Sequence, residues 1–144
     1  CRFFEAICLE HLGEKEKAFE IYRYIADTQI EYFSNMHLKE LPWYQALAYN
    51  RLGESIKGVQ LMTSYRRIWT EALKSKDSGY FATTPFFIPF TDNPKDMRKA
   101  QFSYLLGLCE AYMENKDTAV NLISKAAELN SELLFAMHYL EMLK

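Results

Sequence analysis

The sequence predicts an all-α protein of about seven antiparallel helices, paired as three helical hairpins with one more helix at the end. Three observations carry this. Apolar residues recur at three- and four-residue steps along most of the 144 residues. Glycine (5) and proline (4) are scarce, which disfavours a turn-rich β fold. Small residues also recur in pairs twelve positions apart: Ala6 and Ala18, Ala46 and Gly58, Gly107 and Ala119.

Each element follows from local pattern. Phe4, Cys8, Leu9 and Leu12 share one helical face, and Gly13-Glu14 ends it. Ala18, Ile21, Tyr22, Ile25, Tyr32, Phe33 and Met36 then predict one long helix from Glu14 to about Leu38. Pro42 suits the first turn of a new helix, which runs to a second Gly-Glu break at Gly53-Glu54. The next helix carries Ile56, Val59, Met62, Tyr65, Trp69 and Leu73, with Ser55 expected to cap it. Residues 76–94 hold three of the four prolines and no sustained period, so they read as one inserted loop rich in aromatics. Asp92 or Asn93 then caps a helix that opens on Pro94 and runs to about Met113. A polar turn at 114–117 leads to a helix over 118–129, and a terminal helix is expected over 132–143. The organisation is thus one helical domain over 1–144, with repeats at about 1–38, 42–75 and 95–130. Cys at position 1 suggests a piece of a longer protein.

Charge and cysteines narrow the function. Lys plus Arg is 17, Asp plus Glu is 19, and the net charge is −2. The densest basic spots, Arg66-Arg67 and Arg98-Lys99, are two-residue clusters that read as solvated helix surface, so no nucleic-acid partner is expected. No apolar run approaches the roughly 18 residues of a membrane helix, and no membrane partner is expected. Cys1, Cys8 and Cys109 form no disulfide framework and suit reduced thiols in the cytoplasm.

In each repeat the second small residue is followed at the fourth and seventh positions by packing residues: Tyr22 and Ile25, Met62 and Tyr65, Ile123 and Ala126. Two helices approach closely only where side chains are small, and larger residues interlock above and below. One such hairpin cannot bury its apolar face alone. With Leu106-Gly107, Tyr49 three residues after Ala46, and Gly13 and Gly53 at the turns, the pattern resembles the tetratricopeptide repeat (TPR). The resemblance implies a right-handed superhelix. Ala18 to Gly58 spans 40 residues and Gly58 to Ala119 spans 61, against about 34 for the usual repeat. The third unit departs further, with Glu114 in place of the turn glycine and Glu110 where an aromatic is usual.

The insertion carries a second resemblance. The run from Gly79-Tyr80-Phe81-Ala82 through Pro85 to Phe90, then Asp96 to Phe102 and Tyr104-Leu105-Leu106-Gly107-Leu108, looks like the C-terminal TPR region of a bacterial family. Its members carry an N-terminal domain similar to galactose mutarotase. That resemblance implies a carbohydrate context for a neighbouring domain only.

No catalytic constellation stands out, and the chain is not expected to be an enzyme or to need a cofactor. Gly53-Glu54-Ser55-Ile56-Lys57-Gly58 lacks the spacing of a serine nucleophile elbow and lies between helices. Cys8 and His11 could offer two ligands to zinc, but a site needs three or four; no metal site is expected. His37 and His138 are isolated. By repeat register, the resemblance implies a concave groove lined by Phe3, Ile7, Glu10 and His11, by Trp43, Leu47, Asn50 and Arg51, and by Tyr104, Leu108, Ala111 and Tyr112. Such a surface suits an extended peptide or an amphipathic helix. Tyr80, Phe81, Phe86, Phe87, Ile88 and Phe90 form a loop patch that either docks on the helices or meets a partner. The expected function is a non-catalytic interaction scaffold. Its partner would be a protein or peptide, a neighbouring domain, or a second copy as a homodimer. The alternative is an accessory domain of a carbohydrate-active enzyme, with the loop over a sugar pocket and Trp43 or Tyr80 stacking on the sugar.

Overall fold

The computed structural model describes residues 2–29, 40–74 and 94–130, with Leu133, Ala136, His138 and Tyr139 beyond them. Among the described residues the chain is all-helical, with no strand. Six helices follow in order: α1 (Arg2–His11), α2 (Lys15–Asp27), α3 (Leu41–Arg51), α4 (Ser55–Lys74), α5 (Pro94–Tyr112) and α6 (Lys116–Leu129). Of the expected terminal helix, Ala136, His138 and Tyr139 are helical and Leu133 is not; its other residues lie outside the described residues, as do 75–93. The chain divides into two compact units, Cys1–Tyr65 and Arg66–Lys144.

Three turns join helices by the same hydrogen bonds. In the first, the N–H of Glu14 donates to the Leu9 carbonyl, that of Gly13 to Glu10, and that of Ala18 to Glu14. The second repeats these as Glu54 to Tyr49, Gly53 to Asn50 and Gly58 to Glu54; the third as Asn115 to Glu110, Glu114 to Ala111 and Ala119 to Asn115. The residue before the long bond must have positive φ, which glycine adopts without cost. Gly13 has φ 84° and Gly53 has φ 77°, while the third turn forces Glu114 to φ 64°. The same bonds put Glu54, rather than Ser55, at the cap of α4.

In the first unit, α1 packs on α2 and α2 on α3. Their core is Phe3, Ala6, Ala18, Tyr22, Ile25, Ala26 and Ala48, with Ile7, Leu9, Ile21, Tyr44, Leu47, Tyr49 and Leu52 against it. In the second unit α5 packs along α6. The two helices approach closely at Gly107: a methyl there would collide with Ile123 Cγ1 and stand 3.3 Å from the Ala119 carbonyl.

The helix expected from Glu14 to about Leu38 stops at Asp27, and this corrects the sequence reading. Thr28 turns extended (φ −63°, ψ 121°) and its hydroxyl donates to the Tyr24 carbonyl at 2.7 Å. The carbonyls freed at the helix end are claimed by α3. Gln45, 4% exposed, donates its amide to the carbonyls of Ile25 (3.2 Å), Ala26 (3.4 Å) and Thr28 (2.7 Å). The Tyr49 hydroxyl also donates to Ala26, at 3.3 Å. Apolar periodicity cannot register this stop, because the competing donor lies about twenty residues away. Arg98 serves α4 in a similar way, donating to the Ala72 carbonyl in its last turn at 2.8 Å.

Two stability outcomes follow from these contacts. Glu114→Gly should raise the unfolding free energy by about 1 kcal/mol, because a non-glycine residue in the left-handed region costs about 1–2 kcal/mol. Gly13→Ala and Gly53→Ala should lower it by a similar amount. Urea titration of the full chain reads all three, and equal effects at the three turns would contradict the turn analysis. Gln45→Leu removes donations to three carbonyls, of which Ile25 and Ala26 keep the Thr28 N–H and the Tyr49 hydroxyl. It should cost about 1 kcal/mol, and hydrogen exchange should accelerate first in the last turn of α2.

Candidate functional site

Two polar residues of the expected groove, Glu10 and Arg51, meet at the ends of α1 and α3. Glu10 stands in the last turn of α1 and Arg51 ends α3. The Tyr22 hydroxyl, rising from α2, donates to Glu10 Oε2 at 2.9 Å. Arg51 Nη1 lies 3.5 Å from the same oxygen. One carboxylate thus links three helices. Basic groups at these C-termini, His11 on α1 and Arg51 on α3, also oppose the negative end of each helix dipole.

The Tyr22 hydroxyl of this cluster is held protonated. Burial, reinforced by the hydrogen bond and charge of Glu10, pushes the Tyr22 phenol up to about 12, with Arg51 offsetting part of the shift. At neutral pH Tyr22 is therefore a fixed donor. The side chain of Arg51 is half-exposed, and its planar fork suits a carboxylate or a peptide carbonyl. The Glu10–Arg51 pair is partly solvated, so its own contribution to stability is below about 1 kcal/mol.

The structure separates the expected groove residues into two groups. His11, Asn50 and Arg51 are exposed, and Glu10, Leu47 and Tyr112 are half-buried. Trp43 (7% exposed), Tyr104 (3%) and Leu108 (0%) are buried, as is Phe3. These four present almost no surface. Trp43 meets Tyr44 edge-on with ring centroids 5.0 Å apart, and Phe3 packs on Tyr22 and Tyr44 at 5.6 Å each. The loop patch Tyr80, Phe81, Phe86, Phe87 and Phe90 lies outside the described residues. Cys8 is exposed, and among the described residues no three His, Cys, Asp or Glu side chains group as metal ligands.

Sequence reasoning missed a second polar cluster, in the second unit. Glu110 is 4% exposed on α5. Its Oε1 accepts from Arg66 Nε at 2.6 Å, and its Oε2 from Asn115 Nδ2 at 2.8 Å. Arg66, exposed as the sequence reading expects, is also the counter-charge of a buried carboxylate. The available signal was Glu110 itself, a charge between the apolar run Tyr104 to Cys109 and Ala111-Tyr112-Met113. Beside it, burial first and the Glu110 charge second push the Cys109 thiol up to about 12, against a smaller opposing effect of Arg66. The thiol is held protonated and is a poor nucleophile.

Compared with known proteins, the chain matches no family model, no curated protein and no solved structure. Among the described residues no helix is long and apolar enough to cross a membrane.

Stability should be lost on the alkaline side. Tyr22 and Cys109 have folded values near 12, above their ordinary values of 10 and 9. Their contribution is fully present below about pH 9. Above that the unfolded chain releases protons that the folded chain retains, so stability falls as pH rises toward 12. Urea midpoints measured from pH 8 to 11.5 should decline, and Tyr22→Phe should flatten the part of the slope above pH 10.

Proposed function

We propose that this chain is a TPR-like helical-repeat module, a right-handed stack of helical hairpins that holds a protein or peptide without chemistry of its own. The observation that supports this most directly is the turn that recurs three times with the same hydrogen bonds. In each case one small residue stands seven positions before the left-handed residue and another five after it: Ala6 and Ala18, Ala46 and Gly58, Gly107 and Ala119. All six are buried. Repetition of one hairpin with one register is the basis of repeat architectures, which bind through extended surfaces.

The partner-facing group is the exposed part of the α1 and α3 ends: His11, Asn50 and Arg51, with Glu10 and Leu47 beside them. Glu10 holds Arg51 in place, and the guanidinium takes a carboxylate or backbone carbonyl of an extended segment. That segment belongs to another protein, a neighbouring domain or a second copy. The protonated states of Tyr22 and Cys109 favour a binding role over catalysis, and the free thiols suit a reducing cytoplasmic setting.

Selection from a displayed peptide library tests this reading. Peptides with an acidic residue should bind with affinities that weaken with salt, and Arg51→Ala should reduce affinity by at least about fivefold. Glu10→Gln should do so less, through loosened positioning. Equal binding by Arg51→Ala and by an Asn50→Ala, His11→Ala double variant would count against this surface.

A further inference from the structure

The two carboxylate clusters use the same groups but close differently. In the second unit both oxygens of Glu110 are taken, Oε1 by Arg66 at 2.6 Å and Oε2 by Asn115 at 2.8 Å, and the side chain is buried. In the first unit Tyr22 and Arg51 converge on a single oxygen, Oε2 of Glu10. Among the described residues Oε1 accepts no hydrogen bond. No buried side-chain oxygen among them lacks a partner, so Oε1 is open to solvent. Arg51 stands 3.5 Å from Oε2, well beyond the separation of Arg66 and Glu110, and its side chain is half-exposed. Among the described residues its guanidinium makes no hydrogen bond. An open acceptor therefore lies beside an open set of donors.

This arrangement discriminates between ligands by charge. A carboxylate bound to Arg51 also lies close to the negative charge of Glu10, and that repulsion weakens it. A cation next to the carboxylate reverses the sign, because it can donate to Oε1. We propose that Glu10 is a specificity-determining residue of this surface: it receives a Lys or Arg of the bound segment while Arg51 receives the acidic residue beside it. Segments with clustered acidic residues are turned away. This selectivity rests on Arg51 binding an acidic residue, and it makes the recognised segment dipolar rather than simply acidic.

The probe is a library of ten-residue peptides with one fixed Asp and every other position randomised, selected on the full chain. Lys and Arg should be enriched within two positions of the Asp, and Asp and Glu depleted there. An enriched peptide and its analogue with the cation changed to Glu then give the preference by fluorescence anisotropy. It should be at least about fivefold for the unaltered chain. Glu10→Gln keeps the side-chain shape without the charge and should bring the ratio close to one. Tyr22→Phe removes the anchoring hydrogen bond but leaves the charge, so the preference should persist. Preference retained in Glu10→Gln would overturn the charge role of Glu10. So would preference lost equally in Tyr22→Phe, which would leave only the placement of Arg51. Absence of preference in the unaltered chain, while Arg51→Ala still lowers affinity, would overturn the selectivity and leave the peptide-binding surface standing. Equal binding by the unaltered chain and Arg51→Ala would overturn that surface, and the selectivity with it.

Discussion

Each hairpin depends on one backbone requirement. At the end of its first helix a carbonyl is left without a partner within that helix, and it is satisfied by an N–H five residues further on. The bond closes only if the residue before that N–H turns left-handed. Once it does, the direction and register of the second helix are set. In the third hairpin the small residues then let α5 and α6 approach as closely as Gly107 and Ile123 do. Turn and close packing are therefore one constraint in two parts. Glu114 accepts strained backbone rather than break it, which shows how strongly the register is held.

Polar groups add a second level of order between hairpin helices and their neighbours. Gln45 and Arg98 satisfy carbonyls at the ends of α2 and α4, where a helix would otherwise fray or require water. Glu10 gathers Tyr22 and Arg51, and Glu110 gathers Arg66 and Asn115. Burying a carboxylate is costly unless both oxygens are paired, and Glu110 meets that condition. Among the described residues no buried side-chain nitrogen or oxygen lacks a partner. Apolar packing sets which faces meet; these hydrogen bonds set where the helices end.

That division explains what could be read from the chain alone. The turns, the small-residue pairs and most helix limits depend on local chemistry, so Gly13, Gly53, Pro42 and Pro94 announced them. The end of α2 did not show, because Tyr32, Phe33 and Met36 continue the apolar period while the groups that stop the helix sit on α3. Gln45 in a helical stretch reads as surface until its three carbonyl partners are known. The groove set was legible only in part. Repeat register places Glu10, His11, Asn50 and Arg51 at helix ends open to solvent, yet it cannot distinguish an inward Trp43 or Leu108 from an outward one. Arg66 and Glu110 stand 44 positions apart, and nothing local in either links them.

The capping of α2 by Gln45 and Tyr49 also bears on how such a chain can change. Because α3 itself fixes where α2 ends, the mutual placement of the two helices does not rely on the number of residues that connect them. Register between the two helices is therefore a property of the side chains of α3: a substitution at Gln45 or Tyr49 acts on the end of α2, whatever the length of chain between Thr28 and Glu40.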